Sequence, residues 1–215
     1  MKTFVLRVLL PAAFCAAAWG QQWEVGAVGG AGFLNTVPVS APGASATAGF
    51  SAGAVGGVYF GQNLYSNLSG EIRYEFFDSN LKLSSGGTSA SFTGIAHALH
   101  YDLIWHTRRK NSPVQYYLAV GGGMKLFQGL GSPEAYQPLM QFGYFTRAHA
   151  VEPMGTVAGG MTYKLAPRMF LRFELRDFIS PFPTGVLTPA VAPTAAKFGS
   201  ILNNLTPMAG ISYVF

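Results

Sequence analysis

Two stretches of this chain alternate between apolar and charged residues with a strict period of two. In Phe170–Phe178, extended by Met169, the residues Met169, Leu171, Phe173 and Leu175 share one parity, while Arg172, Glu174 and Arg176 share the other. In Leu68–Phe77, the residues Leu68, Ile72, Tyr74 and Phe76 oppose Ser69, Glu71, Arg73 and Glu75, with Gly70 on the apolar side. Successive side chains of a strand point to opposite faces, whereas a helix would mix the two sets. Both stretches are therefore predicted strands with one greasy face and one ionised face.

Weaker alternation extends the pattern. Ile95, Leu99, Tyr101, Leu103 and Trp105 oppose Ala96, Ala98, His100 and Asp102. Val114, Tyr116, Leu118 and Val120 oppose Gln115, Ala119, Gly121 and Gly123, and over 148–163 Val151, Val157, Met161 and Tyr163 oppose Glu152, Thr156 and Ala158. The Gly-rich stretches 23–33 and 47–60, with 204–215, bring the expected strands to eight. Each is at or above the ~9–11 residues that a tilted strand needs to cross a bilayer. Short connections near 61–67, 106–113 and 164–168 alternate with long ones near 34–46, 78–90, 128–147 and 179–202. That asymmetry of short inner turns and long outer loops is expected of outer-membrane barrels.

Composition narrows the choice of solvent. Charged residues make up 11% of the chain, against about 25% in soluble domains. Yet beyond residue 20 no apolar run reaches the roughly 18 residues of a spanning helix. Lipid admits only structures that pair every backbone group internally, which means spanning helices or closed barrels. The expected fold is all-β: an eight-stranded antiparallel up-and-down transmembrane β-barrel, preceded by a cleaved signal peptide. Lys2 and Arg7, the apolar stretch Phe4–Ala18 and the small residues before Gln21 give that leader its three parts. The expected division is a signal peptide at 1–20 and one barrel domain at 21–215. Without Lys2 and Arg7 the remainder carries 12 basic and 9 acidic residues, a net +3, and no Cys. The charge is too weak and scattered for nucleic acid, and thiol chemistry is absent from the mature part.

An eight-stranded barrel has an interior just wide enough for side chains to fill. The expected lumen set is Glu71, Arg73, Glu75, His100, Asp102, Lys125, Glu152, Arg172, Glu174 and Arg176. Alanine and glycine on the strands between leave space for the long charged chains. Unpaired buried charge costs several kcal/mol, so the ions are expected to pair and plug the bore rather than line a channel. Tyr59, Phe60, Tyr65, Trp105, Tyr116, Tyr117, Tyr163, Phe170, Tyr213 and Phe215 are expected near the short turns as an aromatic girdle at the headgroups. Arg108, Arg109, Lys110, Lys164 and Arg168 fall in or beside those turns, where they would meet anionic headgroups or simply water.

The last residues, Met208-Ala209-Gly210-Ile211-Ser212-Tyr213-Val214-Phe215, resemble the C-terminal insertion signal of outer-membrane barrels through Gly210, Tyr213 and Phe215; Met208 departs from the polar residue usual there. The whole mature chain resembles the OmpA/OmpX-type family of small outer-membrane barrels, as architecture over 21–215 and as motif at the C-terminus. The resemblance implies a place in the outer membrane, contact with its lipids, and delivery by periplasmic chaperones to the barrel-assembly machinery. OmpA proteins often carry a peptidoglycan-binding domain after the barrel, and that role is not expected here. The leading expectation is a non-enzymatic barrel with a structural or surface-interaction role, in which the long loops make contacts and 128–147 serves as an adhesive surface or a lid. The alternatives are an OmpW-like pore for small or apolar solutes, and a lipid A-modifying enzyme using a Ser with His97 or His149 at the outer rim. No cofactor or metal is expected.

Overall fold

A computed structural model describes residues 22–107, 112–191 and 195–215. The signal-peptide assignment and Arg108, Arg109 and Lys110 fall outside the described residues. The first strands are β1 (Trp23–Leu34), β2 (Val37–Ala41), β3 (Ala44–Phe50), β4 (Gly53–Tyr65) and β5 (Leu68–Asp78). They are followed by β6 (Leu81–Ser85), β7 (Thr88–Phe92), β8 (Gly94–His106), β9 (Val114–Gly129) and β10 (Gly143–Phe145). The chain ends with β11 (His149–Ala166), β12 (Met169–Pro181), β13 (Leu187–Pro189), β14 (Lys197–Phe198) and β15 (Ile201–Val214).

Eight of these strands close into an antiparallel barrel in the order β1-β15-β12-β11-β9-β8-β5-β4. Each strand pairs with its neighbour in sequence around the wall, and β1 meets β15 with Glu24 opposite Val214. Closure leaves no sheet edge within the wall, as a lipid solvent demands. One ladder stops early. β11 pairs β12 only as far as Gly155 opposite Ile179, and Pro153 and Pro181 stand beyond that last pair. Neither proline has an N–H to extend the ladder.

The wall turns its apolar residues outward. Leu118 and Met124 each expose 62% of their surface, and Ile72, Leu99, Phe173, Leu175 and Ile211 are likewise exposed. A soluble monomer rarely exposes so continuous an apolar surface.

Two of the long connections expected as loops, 34–46 and 78–90, are instead largely sheet, and 128–147 and 179–202 each contribute short strands. β2, β3, β6, β7 and β14 form a five-stranded sheet in the order β14-β2-β3-β6-β7, and β10 pairs with β13. The β6–β7 hairpin turns on Gly86 and Gly87, both with positive φ (56° and 85°), the backbone that a two-residue hairpin turn requires. The stretch expected as one strand over 47–60 is broken between β3 and β4, where Ser51 N–H donates to Asn80 O.

In this cap the polarity of the barrel wall is reversed. Val37, Val39, Ala46, Ala48, Leu81, Leu83, Ala90 and Phe92 are buried inside, while Pro38, Ser40, Ser45, Thr47, Lys82, Ser89 and Ser91 are exposed outside. Sheets in water put apolar residues in and polar residues out; the wall below does the opposite. The switch marks where the chain passes from an apolar solvent into water. The cap's buried residues share one core with those at the barrel mouth, including Phe77, Phe127, Phe178 and Phe182.

Candidate functional site

The lumen is the candidate site. Its ion-paired side chains come from three strands whose period of two sets their direction: Glu71, Arg73 and Glu75 from β5, His100 and Asp102 from β8, and Arg172, Glu174 and Arg176 from β12. All eight are buried. Glycines on the other strands make room. A Cβ at Gly121 would collide with the Asp102 carboxylate, and one at Gly57 would lie 2.7 Å from the Glu75 side chain.

Glu174 is the hub. Its carboxylate accepts from Arg73 Nη1 at 3.0 and 3.1 Å, from Arg176 Nε at 2.8 Å and from the Tyr117 hydroxyl at 2.6 Å. Arg172 donates through Nη1 to Glu71 Oε2 at 2.7 Å and through Nε to Tyr117 Oη at 2.9 Å. Arg73 Nε donates to Glu75 Oε1 at 2.9 Å. Arg73 Nη1 also lies 3.1 Å from Glu71 Oε1, although that oxygen accepts no hydrogen bond; the contact is electrostatic only. Arg176 Nη1 donates to Asp102 Oδ2 at 2.5 Å, and Thr156 Oγ1 donates to Asp102 Oδ1 at 2.7 Å.

His100 joins the two ends of this set. Its Nδ1 lies 2.9 Å from Asp102 Oδ1 and its Nε2 lies 2.8 Å from Glu75 Oε2. Ionised carboxylates only accept, so both contacts are satisfied by a ring that carries a proton on each nitrogen. With that ring doubly protonated and the carboxylates ionised, three guanidiniums and one imidazolium balance four carboxylates. Pairing of this kind is what offsets the desolvation of buried ions.

Two members of the expected set lie outside it. Lys125 is buried but has no carboxylate within ion-pair distance; its ammonium sits 4.1 Å from the centroid of Phe77, and 5.3 and 5.4 Å from those of Phe127 and Phe178. Ring faces attract a cation, and at this height the lumen has turned from ionic to aromatic. Glu152 stands opposite Lys125 in the β9–β11 ladder, yet it is only half-buried and makes no ion pair among the described residues. The expectation that both belong to the ionic cluster is corrected accordingly.

Two tyrosines expected in the outer girdle point inward instead. Tyr59 and Tyr117 are 2% and 3% exposed, and the Arg172 guanidinium lies 4.6 and 4.8 Å from their ring centroids. Tyr117 shares parity with Gln115 and Ala119, so the pattern that placed those two inward placed it there as well. Phe170, on the parity of Arg172, is half-buried. The remaining girdle residues Phe60, Tyr65, Trp105, Tyr116, Tyr163 and Tyr213 are exposed outward. Gly210 pairs with Val28 and Arg172, Phe215 packs its ring 6.4 Å from Phe60, and Arg168 donates to the Tyr213 hydroxyl at 3.3 Å.

Both ends of the lumen are narrow. At the short-turn end a cavity of about 20 Å³, bordered by Glu24, Ser69, Glu71, His106 and Arg172, has room for about one water. At the long-loop end aromatic rings fill the mouth: Phe77 meets Phe178 edge-on at 5.1 Å, and Phe50 packs at 5.4 Å from Phe127 and 6.3 Å from Phe182. Within the 128–147 connection Phe142 and Phe145 are buried in the same core as these rings, Phe145 stacked 5.5 Å from Phe92, while Tyr136 is 89% exposed.

The histidines considered as bases at the outer rim have other surroundings. His97 is hydrogen-bonded through Nδ1 to the Tyr74 hydroxyl at 2.7 Å on the outward face of the wall, and His149 is exposed at the start of β11. A Ser–His contact occurs at the opposite end, where Ser69 Oγ lies 3.0 Å from His106 Nε2; that hydroxyl donates to Asn63 Oδ1 at 2.7 Å.

No family profile matches the chain, and no curated protein matches its sequence. Solved structures do match its fold. OprG, an outer membrane protein from Pseudomonas aeruginosa, aligns with a TM-score of 0.57 at 12% identity, covering 91% of this chain and 96% of its own. Neisserial surface protein A (NspA) aligns with a TM-score of 0.53 at 14% identity, covering 90% of this chain and 98% of its own. The chain has the fold of the small eight-stranded outer-membrane barrels.

Proposed function

We propose that the protein is an integral outer-membrane barrel, exported by removal of residues 1–20, with a closed lumen and a structural or surface-contact role carried by its cap. The carrying observation is the inside-out arrangement of the wall: Leu118, Met124, Phe173 and Leu175 exposed outside, with Arg73, Glu174 and Arg176 paired inside. Gly210, Tyr213 and Phe215 suit recognition by the barrel-assembly machinery after chaperoned transit. No catalytic role is assigned: in the Ser69–His106 contact the Ser69 hydroxyl is directed to Asn63 Oδ1, whereas a serine nucleophile needs it directed to its base. A pore would need a continuous bore, and here the bore is filled first by ion pairs and then by phenylalanine rings. The test is conductance of the purified barrel in planar bilayers. The expected record is a silent membrane; steady unitary steps would establish the transport reading instead. Mass spectrometry of the protein from outer membranes is expected to give an N-terminus at Gln21.

A further inference from the structure

We infer that the outward face of the cap sheet docks the phosphorylated sugar headgroups of the surrounding outer-leaflet glycolipid. The inference rests on the membrane orientation proposed above. Two residues separate β5 from β6, and one separates β7 from β8. The sheet therefore stands directly on the apolar wall. Its five-residue strands rise about 16 Å at roughly 3.3 Å per residue, alongside and beyond the headgroup region, which adds about 5–7 Å to the hydrocarbon core on each side.

The face is a grid. One row crosses four strands as Pro38, Thr47, Ser84 and Ser89; the row below sets Lys82 beside Gly49 and Ser91, and Lys197 stands beside Ser40 at the sheet's edge. Neighbouring positions lie about 4.8 Å apart across strands and about 6.6 Å apart along them. Hydroxyls both donate and accept, as a sugar ring requires, and an ammonium suits a phosphate. Among the described residues Lys82 and Lys197 are the charged residues on this face; Asp78 lies just below the sheet, at the cap end of β5. The grid is held rigid from behind, because Val37, Val39, Ala48, Leu81 and Leu83 are each 2% exposed or less. An anionic, polyhydroxylated neighbour is thus matched in both charge and hydrogen bonding, and the membrane boundary places that neighbour alongside.

The experiment titrates the purified full chain in detergent with three probes: a phosphorylated lipid A bearing core sugars, lipid A without them, and phosphatidylglycerol. The sugar-bearing lipid is expected to bind tightest. The double substitution Lys82→Ala, Lys197→Ala is expected to weaken it about thirtyfold, at roughly fivefold per lysine facing an anionic lipid surface, with unchanged heat-modifiable mobility on gels. Equal binding of all three lipids, or an unaffected double variant, overturns the inference. A chain that stays soluble without detergent overturns the membrane reading itself, so the two failures are distinguishable.

Discussion

Glu174→Gln keeps the shape of the hub and removes its charge. Both carboxylate oxygens are used: Oε1 accepts from Arg73 and Arg176, and Oε2 from Arg73 and Tyr117. Whichever way the amide is turned, its NH2 therefore opposes an N–H or O–H donor. The three guanidiniums would be left with Glu71, Glu75 and Asp102, the last two already shared with His100. Removing one partner from a buried ion set costs about 3–5 kcal/mol, a large part of the 5–15 kcal/mol typical of a folded domain. With a urea slope of about 2 kcal/mol/M, the unfolding midpoint should fall by roughly 2 M. The measurement is urea titration of the barrel in lipid vesicles, followed by the fluorescence of Trp23 and Trp105 and by mobility on unboiled gels. A double-mutant cycle with Arg73→Met should return a coupling above about 1 kcal/mol. A midpoint within about 0.3 M of wild type would refute the idea that this network holds the interior together.

Lys125→Met should be neutral or stabilising by about 1–2 kcal/mol, because it exchanges a desolvated ammonium with no carboxylate partner for a side chain that suits the three rings; the same urea titration reads it against Arg176→Met, which should cost about 3–5 kcal/mol. Gly121→Ala should cost about 3 kcal/mol or more, since its methyl meets the Asp102 carboxylate and the Tyr101 carbonyl. Gly56→Ala, with nothing within 4 Å of the added carbon, should fold as wild type; gel mobility separates the pair. Phe173→Arg on the apolar wall should cost about 2–4 kcal/mol, whereas Thr47→Arg on the outside of the cap should stay within about 0.5 kcal/mol. Equal costs at the two sites would remove the basis for placing the membrane boundary between them.

The barrel was legible where charge made the alternation unmistakable. On β5 and β12 a glutamate or arginine at every second position leaves one face that only a paired interior can take. The cap was not legible as sheet. Val37-Pro38-Val39-Ser40 and Leu81-Lys82-Leu83-Ser84 alternate as cleanly, but over five residues, amid Pro42, Gly43, Gly86 and Gly87, and with the opposite sense to the barrel strands. The Gly86-Gly87 pair between two alternating runs was the available hairpin signal. Among site residues, Tyr117 shares its inward parity with Gln115 and Ala119, whereas Tyr59 lies in a Gly-rich stretch whose alternation marks no face. Lys125 and Glu152 had the right parity. Their partners depended on height along the axis, where the lumen changes from carboxylates to phenyl rings, and a period of two carries no information about height.

The wall joins the earliest strand to the last, with Trp23 N–H donating to Phe215 O and Phe215 N–H donating to Trp23 O. No intermediate stretch of polypeptide can satisfy both of its flanks, so a half-emerged chain carries two bare rims and a greasy exterior at once. Maturation is thereby forced into a late, concerted event, slow because its decisive contacts span nearly the full contour length. Until then the molecule is as prone to stick to its siblings as to complete itself. Ring closure is thus also a deadline that the cell has to manage.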